Sequence, residues 1–442
     1  MTNITETFIS GLVRKSQEIP YDVMQQARKV LLDYLGVLVG GKKYLEEKHP
    51  ELIAAVPSEA FLNGFAAHVL ELDDGHRHGM IHLGASIVTA VLDAAKRENL
   101  KSDDVLQGIV MGYEVAVRCA RAIQPGHKER GYHVSGTCGT IGSALGIAFA
   151  CGYSKDQLKS TLACAVSSAA GVLEIQEQAS ELKPYNVGRA AMAGVVAAQV
   201  GKLGLPGPDD ILGGKRGFLA VLTGTPKPEF LTDFSNDDYA IMGIYQKVHA
   251  ACRHCHPAID VAIDMRNDLD LKPEQIDRIE VRTYKLAVGS HNHIDIMGIS
   301  SAKLSTPYAV ALAIVKGSAG YADYNEANLD DYNIKLITRK VRVIEDENLT
   351  AQSPAVRGAK VTIYFKNSNV YENTCLYPKG EPEHPLTQEE LEEKFRGLAM
   401  YGGLTKQECD EVIEEMDKEV FSFNKILRMI GNSHSACYNT TN

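Results

Sequence analysis

Residues 86–98, 103–123, 136–152, 155–173 and 188–204 each carry apolar residues at helical spacing, and several are apolar on more than one face. GSALGIAFACG (142–152) and RAAMAGVVAAQVG (189–201) have almost no polar side to turn to water. Helices of that kind must be central ones that pack on all sides. Gly and Pro punctuate the breaks between them. A further helix is expected over 21–38, where Val23, Ala27, Val30, Leu31 and Leu35 share a face. The pattern stays helical to about residue 245.

The pattern then changes. Residues 276–284, 340–345 and 359–365 alternate apolar and polar side chains, which predicts half-buried strands. Antiparallel pairing with one solvated face is the expected arrangement. A helix over 306–316 lies among them, and two more follow Pro385, the first opened by a Thr387–Glu390 capping box. The fold expected is therefore mainly α. A large helical domain (1–248 plus 385–442) would carry a smaller α+β domain over 249–384. With 442 residues, 45% of them hydrophobic, the chain can bury a large core.

A net charge of −10 argues against nucleic acid, which needs a basic surface. No run reaches the ~18 apolar residues of a membrane span, so no membrane partner is expected. Residues 1–20 hold acidic and polar side chains where a signal peptide has an apolar core, and the nine cysteines are odd in number and irregularly spaced. Free thiols in the cytoplasm are expected.

Four constellations could carry chemistry. Glu71-Leu-Asp73-Asp74-Gly-His76-Arg77-His78, followed by His82, offers carboxylates and imidazoles for acid–base work or a metal. It also reads as a solvated turn. Helices on both sides place it at the end of a core instead, where Asp73 or Asp74 can orient an imidazole and His82 can donate to a substrate oxygen. Gly131-Tyr-His133-Val-Ser-Gly puts His133 just ahead of a helix N-terminus, which favours an anion. The glycines at 136, 139 and 142 lack the preceding strand and the spacing of a dinucleotide loop, and close helix packing suits them better. Lys183-Pro-Tyr-Asn-Val-Gly188-Arg189 sets a cation before a helix, with Gly188 permitting close approach of another group. A lysine in a pocket should matter little to folding. Lys247-Val-His-Ala-Ala-Cys252-Arg-His254-Cys255-His256 contains C-x-x-C-H, but c-type haem needs export and a structural zinc needs a second knuckle. A cleft lined by Lys247 and imidazoles is the simpler reading.

These segments resemble the MmgE/PrpD family, which includes 2-methylcitrate dehydratase, cis-aconitate decarboxylase and iminodisuccinate epimerase. The resemblance runs in order through LLDYLG (31–36), NGFAAHVLELDDGH (63–76), GYHVSGTCGTIGSA (131–144), LKPYNVGRAAMAGVVAA (182–198), YQKVHAACRHCHPAID (245–260) and STPYAVALAIVKG (305–317), and ends in KGEPEHPLTQEELEEKF (379–395). It implies a helical domain with an inserted α+β lid, a homodimer, and no metal or organic cofactor. It also implies that a small anionic polycarboxylate is the substrate. The family's active-site positions fall on Asp73 and its neighbour Asp74, His82, His133, Lys183, Lys247 and Tyr308. Two positions depart from the pattern: Glu71 stands where the family has Asp, and Leu83 where Pro is usual.

The implied reaction is a lyase reaction, dehydration or decarboxylation, begun by proton removal next to a carboxylate. Lys183, Lys247 and Arg189 would bind carboxylates and His82 or His133 would move the proton. Epimerisation of a dicarboxylate shares the proton step. A non-catalytic or metal-binding module on Cys252–His256 is the reading from another class.

Overall fold

A computed structural model of the protein describes residues 3–177, 180–236, 238–269 and 271–431, and it is mainly α-helical. The chain forms two compact units. The first takes the described residues up to Ile175, then Leu182–Ile244 and those from Thr387 onward. The second takes Tyr245–Leu386 together with Gln176–Glu181, a stretch that sequence order alone leaves among the helices. No described helix is long and apolar enough to cross a membrane.

The first unit begins with helices α1 (Ile4–Ser16), α2 (Tyr21–Lys48), α3 (Glu59–Val69), α4 (Gly84–Glu98), α5 (Ser102–Ile123), α6 (Val134–Ala150), α7 (Lys155–Ser168) and α8 (Lys183–Gly201). Helix α2 runs ten residues past its expected end at Leu38. Gly40 and Gly41 look like a break in the sequence, yet they continue the helix because α3 packs there. A Cβ on Gly41 would overlap the Ala66 carbonyl. Helix α7 stops at Ser168 instead of 173, where Ala169 turns extended and Gly171 takes φ +124°. Helix α8 starts at Lys183, five residues early, because Pro184 in its first turn has no N–H to satisfy.

Every residue of α6 is buried. Its glycines let backbones meet: a Cβ on Gly142 would lie 2.7 Å from the Gly112 carbonyl of α5, and one on Gly146 would lie 2.9 Å from the Gly108 carbonyl. Gly188 does the same for α8 against α3, where a Cβ would sit 2.5 Å from the Phe61 carbonyl and 3.2 Å from the Phe65 nitrogen. Helix α3 therefore lies against the first turns of α8, which begins at the candidate Lys183, and α3 itself ends just ahead of the Glu71–Asp74 turn.

The second unit holds a four-stranded sheet, β1 (Ile276–Thr283), β2 (Val341–Glu345), β3 (Ala359–Phe365) and β4 (Val370–Cys375), in the order β2-β1-β3-β4. Strands β1 and β3 are antiparallel with Val281 opposite Val361, as expected. Strands β1 and β2 are parallel, with Val281 opposite Val343, which corrects the expectation of antiparallel pairing throughout. Several helices connect them, and so long a crossover permits a parallel neighbour where a tight turn does not. Strand β4 was not expected. Its sequence, VYENTC, forms an exposed edge without a buried apolar face to reveal it. Helix α9 (His256–Asp268) packs on β3 and β4, and α10 (Lys285–His291) and α11 (Thr306–Lys316) belong to the same unit.

The chain then returns to the first unit as α12 (Gln388–Tyr401) and α13 (Lys406–Met416), and the Thr387–Glu390 capping box is present. Lys394 on α12 binds the Asp33 carboxylate of α2 at 2.6 Å and the Leu72 carbonyl at 2.9 Å. The C-terminal helices thus hold the Glu71–Asp74 turn from below.

Gly188→Ala tests the close approach directly. The added methyl meets backbone, which cannot rotate away, so urea melts should show a loss of about 1–3 kcal/mol.

Candidate active site

Helix α3 ends at Val69 and the chain turns sharply through Leu70–Asp74, with Glu71 in the left-handed region at φ 58°. A tight loop follows. His76 and Ile81 exchange backbone hydrogen bonds of 2.8 and 3.3 Å, and the His76 ring accepts from the Gly79 N–H at 3.1 Å. The loop brings His82 back beside the two aspartates while His76 and His78 turn to each other, their rings 5.9 Å apart.

Asp73 sits between two imidazoles. Its Oδ2 is 2.8 Å from His68 Nδ1 and 3.4 Å from His82 Nδ1, and the two rings meet edge to face at 4.9 Å. His82 Nδ1 also lies 3.0 Å from the Asp74 carbonyl, which can only accept. Nδ1 of neutral His82 must therefore carry the proton, leaving the Nε2 lone pair as a base. His68 is fully buried, whereas the His82 side chain keeps 15% of its surface exposed, so His82 is the imidazole a substrate can reach.

Asp74 has another task. Its Oδ1 accepts from the Gly84 N–H at the start of α4 (2.8 Å) and its Oδ2 from the Tyr113 hydroxyl (2.6 Å). Burial pushes this carboxyl up to about 7, partly offset by those two hydrogen bonds.

His133 caps the start of α6, and Ser135 two residues on accepts from the His82 N–H at 3.0 Å. The Asn186 amide nitrogen donates to the Val172 carbonyl at 3.2 Å, an obligate acceptor, so the same nitrogen also faces His133 Nδ1 at 3.1 Å as a donor. His133 Nδ1 must accept and its Nε2 carries the hydrogen. Burial, and then the charge of Lys183 nearby, hold this ring well below the usual imidazole range, with His68 and His82 adding to the effect. His133 is thus neutral and a donor, and His82 in its neutral form is an acceptor at Nε2.

Lys183 forms an ion pair with Glu71, both nearly buried. This corrects the expectation that Lys183 matters little to folding. Removing one partner of a buried pair leaves the other charge stranded, at a cost of about 3–5 kcal/mol. Arg189 is spent on backbone: its guanidinium donates to the carbonyls of Ser168 (3.2 Å), Gly136 (2.9 Å) and Ala170 (2.5 Å). That fork fastens α8 to the start of α6 and the end of α7.

The structure thus brings Asp73, Asp74, His82, His133 and Lys183 together in the first unit. Lys247 and Tyr308 lie in the second. Lys247 is fully buried, and its charge, after burial itself, Arg253 and His249, helps hold His256 well below the imidazole range. Tyr308 is in the first turn of α11 with its hydroxyl buried and, among the described residues, unpartnered.

Two partners escaped sequence reading. His68 sits in the apolar run FAAHV and looks like core, and Asn186 stands in the Lys183–Arg189 segment with no role assigned to it. The one available signal for His68 was its place a short turn ahead of Asp73. Among the described residues, two groups have the donors and spacing for a metal ion: His68, Asp73 and His82, and Cys252, His254 and His291.

Models of the MmgE/PrpD N-terminal and C-terminal domains match residues 51–231 and 249–419. The chain belongs to the MmgE/PrpD family. It is similar to a cis-aconitate decarboxylase-like protein of Aspergillus oryzae, at 25% identity over 87% of this chain and 88% of that one. It is also similar to the human and mouse cis-aconitate decarboxylases. The human protein is 23% identical over 90% of this chain and 82% of its own length; the mouse protein is 24% identical over 94% and 90%.

Two measurements check these protonation states. In nitrogen-detected NMR, His133 should remain the neutral Nε2–H tautomer down to pH 5, while Asn186→Leu should release that preference. For Asp74, the raised folded value means that stability is full below the unfolded carboxyl range and falls as pH rises through about 7. Asp74→Asn, whose oxygen can accept from Gly84 and whose NH2 can donate to the Tyr113 oxygen without charge, should gain on the wild type in urea melts between pH 4 and 7 and hold its lead above.

Proposed function

We propose that this protein is a lyase acting on a small di- or tricarboxylate, by proton transfer at the carbon next to a carboxylate. The observation that carries the proposal is the pairing of opposite tautomers: His82 presents a lone pair, and His133 an N–H, in one site with Lys183. His82 Nε2 takes the proton, and Asp73 behind it steadies the imidazolium that forms. Lys183 and the His133 N–H stabilise the enolate-like charge that develops on the substrate carboxylate. In dehydration the electron pair left by proton removal forms the double bond as the carbon–oxygen bond breaks, and the hydroxide takes a proton and leaves as water. In decarboxylation the carbon–carboxylate bond itself breaks to carbon dioxide, and the electron pair left behind takes a proton from the His82 imidazolium. The relatives named cis-aconitate decarboxylase favour an unsaturated tricarboxylate and loss of carbon dioxide. Return of the proton to the other face would make the enzyme an epimerase.

Lys247 and Tyr308 enter the proposal on the motifs that carry them, and the unpartnered Tyr308 hydroxyl suits a donor to a carboxylate. Arg189 is assigned a positioning role. A cytoplasmic homodimer is part of the same reading. No step in it uses a cofactor, so chelation should leave turnover intact. Glu71 adds a condition: a substrate carboxylate must displace it from Lys183, which favours a substrate with more than one negative charge.

The test is incubation with citrate, 2-methylcitrate, cis-aconitate and an iminodisuccinate-like acid in deuterated water, followed by proton NMR. Loss of carbon dioxide or water is expected with one of them, and deuterium exchange without net change would mark an epimerase. Lys183→Met with Glu71→Gln removes both charges of the pair and should fold, yet lose about a hundredfold in turnover, the usual effect of one such donor. Normal turnover in that variant, or in His82→Gln, would refute the proposal.

A further inference from the structure

In the second unit, Cys252 and His254 lie on the turn before α9, and His291 ends α10. His254 and His291 lie 37 positions apart, so only folding brings the three together. Their donor atoms all lie within 4.8 Å of one another. The spacing carries more than proximity. A tetrahedral zinc-class ion with bonds of about 2.3 Å to sulfur and about 2.0–2.1 Å to imidazole nitrogen holds those two atoms about 3.6 Å apart. Cys252 Sγ and His291 Nε2 are 3.6 Å apart.

Both histidines are also held from behind. His291 Nδ1 donates to the Leu304 carbonyl at 2.8 Å, so its Nε2 is the lone pair that faces the sulfur. His254 Nδ1 is 2.5 Å from the hydroxyl of Tyr284, which is 1% exposed, and the His254 and His291 rings stack at 4.9 Å. A metal on His254 Nε2 selects the tautomer in which Nδ1 donates to the Tyr284 oxygen. Ligand histidines are usually fixed by this kind of outer hydrogen bond. The cysteine is anchored too, its N–H donating to the Lys303 carbonyl at 2.8 Å.

We propose that Cys252, His254 and His291 form a binding site for a divalent ion of the zinc class, with one coordination position left for an outside ligand. The thiolate and two neutral imidazoles suit a borderline-soft cation and disfavour magnesium or calcium, which require oxygen. Binding releases the thiol proton. The ion would fasten the turn that carries Cys252 and His254 to the end of α10. The site is separate from the His82 chemistry and does not rest on it.

Cobalt(II) is the probe. Titrated into the full-length protein, it should bind at one equivalent with a thiolate-to-cobalt charge-transfer band, and zinc should displace it. Cys252→Ser should abolish the band, His291→Ala should weaken cobalt binding at least about tenfold, and Cys375→Ser should change neither; ligand-shell losses of about 10–100-fold set that scale. Zinc should also slow alkylation of Cys252 in the wild type, a readout that needs no variant to fold. No saturable site in the wild type, or a band that survives Cys252→Ser, overturns the proposal. So does binding abolished by His68→Ala or His82→Ala alone, which would assign the ion to the other trio. Failure here would leave the deuterium-exchange assay of the lyase reading unaffected.

Discussion

The contact of α3 with α8 at Gly188 is the constraint on which the first unit's site depends. Backbone meets backbone there, with no side chain between that could yield. Helix α3 delivers His68 and, past its end, Glu71, Asp73 and Asp74; helix α8 delivers Lys183 and Asn186. Because interiors pack like crystals, a small shift along that contact would be passed to every one of these groups. The Arg189 fork then ties α8 to α6, which brings His133, and Lys394 ties α12 to the Glu71–Asp74 turn. Helix packing sets the places of His133 and Lys183, while the loop closed by the His76–Ile81 bonds and tied to Ser135 sets that of His82.

The electrostatics of the site follow from burial combined with fixed acceptors. Two carbonyls, those of Asp74 and Val172, decide both tautomers, because a carbonyl cannot donate. His133 is thereby made a donor, and His82 in its neutral form a base. Burial keeps the neutral forms in place, pressing on His133 directly and raising the Asp74 carboxyl so that it need not ionise beside Asp73. Two neighbouring aspartates thus divide their work. Asp73 steadies imidazoles, and Asp74 fastens the start of α4 to Tyr113.

Much of this was legible in the sequence, and the reasons are physical. The multi-faced helices were, because an all-apolar surface has only one use. His133 at a helix start and Thr387 at a cap were, because local hydrogen-bonding needs fix them. Gly40 and Gly41 misled, since their close contacts, Gly40 with Leu398 and Leu70 and Gly41 with Ala66, are tertiary and outweigh a local breaker. The parallel β1–β2 pair was hidden because strand alternation is the same in either direction. His68 was hidden because a histidine buried against a carboxylate leaves the same trace as any core residue. The ion pair of Lys183 with Glu71 joins residues 112 positions apart, and no spacing rule reaches that far.

Glu71 shows why the departures from a family pattern gather where they do. A non-glycine residue at φ 58° is strained by about 1–3 kcal/mol, and such a position persists only where its surroundings over-determine it. Here the Lys183 charge on one side and the Leu72 carbonyl, held by Lys394, on the other leave the turn no alternative. The residue that breaks the local rule is also the one that occupies the cation a substrate would need. An aspartate at the same position is one methylene shorter, so the longer side chain changes how far the internal carboxylate extends toward Lys183. Binding of an anionic substrate then becomes an exchange of one carboxylate for another on Lys183. The energy of that exchange depends on what the incoming molecule offers elsewhere, at His133 and at the other groups it meets. Substrate choice in this protein is in that sense set by a competition built into its own backbone turn.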